Sequence, residues 1–125
     1  MGISLFDKET EDICFSINFW HWRAIVEEIR RLNLFSDALV DSLHEAYCNN
    51  GLSKEECSLV AQTLRAQVIP KLSETERILL NGERTEEPDD GEFHREQIEK
   101  NYSTNKAVLL KFVECLESCN GFEIF

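Results

Sequence analysis

The sequence predicts an α+β domain, with about four helices packed on one face of a small, mostly antiparallel sheet. Three observations point there. A segment near the N-terminus alternates apolar and polar residues, later segments carry apolar residues at helical spacing behind capping residues, and the chain closes on the short alternating stretch GFEIF. The 125 residues are one domain's worth, 1–125, with a single core. A chain of this length buries roughly two-thirds of its unfolded surface, so no metal or disulfide is required to hold it together.

Residues 12–19, DICFSINF, place Ile13, Phe15, Ile17 and Phe19 on one face and Asp12, Cys14, Ser16 and Asn18 on the other. That is the pattern of a half-buried strand, and ISLF, across the polar DKETED, supplies a hairpin partner. Asn18 then caps a helix by accepting from a free N–H of its first turn. Its core stripe is Phe19, Trp22, Ile25, Val26, Ile29 and Leu32. Ser36 caps a second helix, with Phe35 and Val40 at staple positions, Leu39, Leu43 and Tyr47 on one face, and Asn50-Gly51 as its stop. Ser53 to Glu56 is a capping box opening a third, which buries Val60, Ala61, Leu64 and Val68 and stops at Pro70.

Ser73 to Glu76 repeats the box and Asn81-Gly82 is again a stop, so RILL reads either as a helix or as a short strand entering a turn. From Glu83 to Glu99 eight acids face two arginines, which puts −6 of the net −11 in an acidic loop at about 83–99. Pro88 and Gly91 keep it open, with one helical turn around Phe93 to Ile98. Ser103 caps the last helix, which carries Val108, Leu109, Phe112, Val113 and Leu116. Asn120-Gly121 closes it in the left-handed manner, and Phe122 and Ile124 flank Glu123 in a final strand.

Charge and composition exclude several classes of function. A net charge of −11 opposes nucleic acid, whose phosphates need clustered Lys and Arg, and repels anionic membrane surfaces; it favours a basic protein partner. No apolar run approaches the roughly 18 residues of a membrane span. The N-terminus lacks a basic region followed by an apolar one, and Phe6 stands where a myristoylation motif needs Ser or Thr. Five cysteines at 14, 48, 57, 115 and 119 are odd in number and spread out, which reads as buried reduced thiols in a cytoplasmic protein. No catalytic motif and no cofactor fingerprint occurs.

The densest cluster of chemistry is FWHWR at 19–23. Trp20 and Trp22 lie about 200° apart on a helix, so they occupy different faces. Trp22 belongs to the core stripe, whereas Trp20 lines up with Ala24, Glu27 and Arg31 on the polar side. It either packs under a neighbouring element or forms an exposed contact surface, where Trp and Arg are enriched. His21 is expected to bond a backbone carbonyl, and Arg23 to pair with one of the chain's own carboxylates. Cys115 and Cys119, at i and i+4, read as small core residues; as a zinc pair they need further ligands, for which His94 and Cys57 are the candidates. EEPDDGE crowds carboxylates around Gly91, but the calcium-loop spacing fails at Pro88 and Gln97.

The pattern N-F-W-H-W-R at 18–23, with IPKL, ERILLNG and the closing GFEIF, resembles a group of small, acidic, uncharacterised bacterial proteins. That resemblance implies no catalytic residues. Size, charge and missing active-site motifs are also similar to immunity proteins, which bind and block a toxic enzyme. The expected function is therefore a non-enzymatic protein-binding module, an immunity-type inhibitor of a basic partner. Its contact residues would be Trp20, Arg23, Glu86, Glu87, Asp89, Asp90 and Glu92. A small-ligand or metal-binding domain using the first helix, and a structural homodimer, are the alternatives.

Overall fold

The computed structural model describes residues 2–45, 50–87, 95–96 and 101–124. Among these residues the chain forms an α+β fold of four α-helices and two antiparallel sheets. Strands β1 (Gly2–Asp7) and β2 (Ile13–Asn18) form the expected hairpin, and the final strand β7 (Phe122–Ile124) pairs with β1. A two-residue strand, β3 (Gly51–Leu52), completes the first sheet in the order β2-β1-β7-β3. The second sheet, β5-β4-β6, consists of β4 (Arg77–Leu79), β5 (Arg84–Thr85) and β6 (Ser103–Asn105). The single sheet expected from sequence is thus two.

Helix α1 (Phe19–Arg31) begins where Asn18 accepts a 2.9 Å bond from the His21 N–H. Helix α2 (Asp37–Leu43) is capped by Ser36, and α3 (Lys54–Thr63) opens with both bonds of the Ser53–Glu56 box. One π turn (Leu64–Val68) and a 3₁₀ turn containing Pro70 end that segment. Helix α4 (Lys106–Ser118) is capped by Asn105, not Ser103, because Ser103 is drawn into β6 opposite Leu79.

The core gathers Leu5, Phe15, Trp22, Ile25, Leu52, Leu64, Leu109, Phe112 and Phe122 between the first sheet and the helices. Trp22 is fully buried and donates its indole N–H to the Leu43 carbonyl at 2.7 Å, so its polar atom is satisfied. Helix α1 contacts β1 and β2 as well as β6, and therefore buries more than its apolar stripe: Ala24 and Glu28 are also inside. Glu28 is held there by the Arg31 guanidinium, whose Nε lies 2.8 Å away and whose Nη1 donates to the Leu80 carbonyl at 3.1 Å. That pair fastens the end of α1 to the β4–β5 turn, where Gly82 takes φ +90°.

Four local expectations change. A register shift between Leu5 and Phe6 turns Ile13 out of the apolar face, and it is 57% exposed. Gly51 is a strand residue rather than a helix stop: a Cβ there would lie 1.9 Å from the Phe122 carbonyl oxygen, so only glycine allows β3 to approach β7 this closely. Of RILL's two readings the strand is the one formed, because Ser73 to Glu76 makes a turn instead of a helix. Its Ser73 N–H donates to Glu76 Oε1 at 3.0 Å, but the Ser73 hydroxyl is engaged with Thr75. The fourth concerns Cys14 and Cys115, expected as reduced thiols, which form a disulfide. Their 101-residue separation hid the packing of β2 on α4 that brings them together. Tyr47 and the helical turn expected around Phe93 to Ile98 fall, wholly or mainly, outside the described residues. Among the described residues no helix is long and apolar enough to cross a membrane.

Candidate functional site

The second sheet sets FWHWR against the polar segment that follows the third helix. His21 Nδ1 donates to the Ser103 carbonyl at 2.6 Å, so the carbonyl partner expected for this histidine belongs to the first residue of β6. β6 in turn pairs with β4, with Arg77 opposite Asn105. His21 therefore shares a cavity of about 330 Å³ with Glu74, Thr75, Glu76, Arg77, Glu87, Ser103 and Thr104. Three carboxylates against one guanidinium make its lining acidic. Arg77 is buried, its Nε donating to the Glu87 carbonyl at 2.7 Å, while its Nη1 has no hydrogen-bond partner among the described residues. The Thr104 hydroxyl, 2% exposed, has none among them either.

Next in the chain to His21, Trp20 is 42% exposed and stacks on Tyr102, their centroids 4.9 Å apart. Trp20 is thus partly packed, on Tyr102, and partly exposed. Among the described residues Arg23 forms no ion pair. It lies 5.1 Å from the Tyr102 ring and 5.6 Å from Phe19, a cation–π arrangement that fixes both rings. Glu86 is exposed, in contact with Thr75 at 3.4 Å, and Glu87 reaches the cavity. Asp89, Asp90 and Glu92 lie outside the described residues. Trp20, Arg23 and Glu87 are thus gathered around β6 and β4. Sequence reading missed Tyr102, Glu74, Glu76 and Arg77; the only hint was a capping box with too few apolar residues behind it to form a helix.

A second cluster lies where β2 meets the helices. The sulfurs of Cys14, Cys115 and Cys119 are all within 4.8 Å of one another, and Cys57 Sγ is 3.9 Å from Cys119 Sγ. The Cys119 thiol is pulled down to about 7, first by the hydrogen bond with Cys57, against the opposing effect of burial, and further by the Gly121 N–H. Cys57 is pushed up, first by that same bond and then by burial.

Compared with known proteins, the chain matches no protein family, no curated protein and no solved structure. The site's meaning rests on its own chemistry.

Proposed function

We propose that this chain is a non-enzymatic protein-binding module, an immunity-type inhibitor that captures a basic partner in the cytoplasm. The observation that carries this reading is the acidic cavity lined by Glu74, Glu76 and Glu87, whose wall residues His21 and Ser103 are next in the chain to the exposed Trp20 and its stacking partner Tyr102. A lysine or arginine side chain of the partner enters among the three carboxylates. The Trp20 ring, backed by Tyr102 and held in place by Arg23, packs against the apolar stem of the incoming side chain and its neighbours. The net charge of −11 steers the encounter, so charge acts mainly on the association rate and the aromatic anchor on dissociation.

The test is capture from a lysate of the source organism at low and high salt, with wild type and Trp20→Ala as baits. The reading expects one basic protein retained by the wild type, weakened by salt and lost with Trp20→Ala. Retention of an acidic protein, or equal retention by both baits, contradicts it.

A further inference from the structure

We propose that in the reduced protein Cys14, Cys57, Cys115 and Cys119 form a tetrathiolate site for a soft divalent metal ion, zinc foremost. This site is separate from the acidic cavity and independent of the partner it takes.

Three of the four sulfurs are already gathered, and the fourth touches one of them. Zinc–sulfur bonds of about 2.3 Å place the four sulfurs of a tetrahedron about 3.8 Å apart. Cys14, Cys115 and Cys119 have their sulfurs within 4.8 Å of one another, and the Cys57–Cys119 separation, 3.9 Å, matches one edge; Cys57 stands outside that trio, so its sulfur must turn toward Cys14 and Cys115 to close the site. The four donors sit on β2, α3, α4 and the C-cap of α4, all anchored in the core. Cys115 and Cys119 present one half of the site from a single helix end, the i, i+4 spacing visible in the sequence. Of the two further ligands that spacing needed, Cys57 is one and Cys14 the other.

Four thiolates around a divalent ion leave a charge of −2, which Lys8, acting on Cys57, and Lys111, beside Cys14 and Cys115, offset, while Glu56, Asp7 and Glu114 near the same sulfurs act against it. The Gly121 N–H on Cys119 adds a fixed dipole of the right sign. Access comes through a surface cavity of about 410 Å³, lined by Cys14, Lys111, Glu114 and Cys115.

Loading requires that the Cys14–Cys115 bond be open. A dithiol reductant supplies two electrons and two protons: the S–S bond breaks, two thiols form, and the reductant leaves as its own disulfide. The ion then displaces one proton from each ligating thiol, four in all.

The experiment is a titration of dithiol-reduced wild type, freed of excess reductant under anaerobic conditions, with cobalt(II) and then zinc. Intense thiolate-to-cobalt absorption saturating at one ion per chain, removed by equimolar zinc, is expected. Zinc should also shield four of the five thiols from an alkylating reagent, and Cys119→Ser should abolish the cobalt bands. Because the wild-type titration stands by itself, poor folding of the variant does not rescue the proposal. No thiolate–cobalt absorption, or alkylation of all five thiols unchanged by zinc, overturns it.

Discussion

The two sheets of this protein are built on opposite terms. In the four-stranded sheet the buried polar groups find partners and the backbones approach as closely as chemistry permits. Asp7 is 8% exposed, and its carboxylate accepts from the N–H groups of Glu9, Thr10 and Asn120, at 2.8, 3.2 and 3.1 Å. Gly51 lets β3 lie against β7 with no space for a methyl group. The three-stranded sheet instead surrounds a polar cavity and leaves Arg77 Nη1 and Thr104 Oγ1 buried without partners among the described residues. An unsatisfied buried polar atom costs about 1–3 kcal/mol. The contrast teaches where this fold places stability and where it gives some up, and the second region is the one that carries the binding proposal.

Gly51→Ala is the harshest way to press on the first region. A Cβ 1.9 Å from a backbone oxygen must force β3 off β7, so a loss on the order of 4 kcal/mol, or failure to fold, is expected in denaturant unfolding. Gly2→Ala, whose Cβ would meet Ile17 O at an ordinary 3.8 Å, serves as the matched control and should change stability by less than about 0.5 kcal/mol. Equal effects at the two glycines would remove the claim of close packing.

Asp7→Asn probes the same region through charge. The N–H donors, that of Glu9 foremost, hold the Asp7 carboxyl below its usual 3.8. A depressed native pKa stabilises the fold at pH values above the ordinary carboxylate value, and that stability is lost as pH falls through the lower native value. The variant should therefore be less stable by about 1–2 kcal/mol at pH 7, with the gap from wild type closing under acid below about pH 4. A gap that stays constant with pH would mean that shape, not charge, is what Asp7 contributes.

Thr104→Val sharpens the comparison from the other side and has the smallest effect. Replacing an unpartnered hydroxyl by a methyl of similar size should leave stability unchanged or raise it by up to about 1 kcal/mol in thermal unfolding. A clear loss would show that the hydroxyl is satisfied and that the two sheets do not differ in this respect.

Sequence reading did well where a local signal carries the structure. The Asn18, Ser36 and Ser53 caps, the β1–β2 hairpin and the closing strand each follow from side chains a few residues apart. It failed where pairing over long distances decides. β3 has two residues and no period to detect, and β6 recruits Ser103 that a local rule assigns to a cap. The candidate site was half legible: helical geometry separated Trp20 from Trp22, but nothing near residue 20 in the chain points to Tyr102 or to Glu74 and Glu76. The cysteines were legible only as the i, i+4 pair, since Cys14 and Cys57 arrive from elements remote in sequence.

The central claim, that the acidic cavity receives a basic partner, is tested most directly by association kinetics with the captured protein. Wild type and the triple variant Glu74→Gln, Glu76→Gln, Glu87→Gln would be measured across ionic strength. Gln keeps the oxygen by which Glu76 accepts from the Ser73 N–H, so the variant removes charge while preserving that contact. The account predicts that the wild-type association rate falls at least about tenfold from low to physiological salt, with the variant slow and nearly flat throughout. Coinciding curves for the two proteins would contradict it.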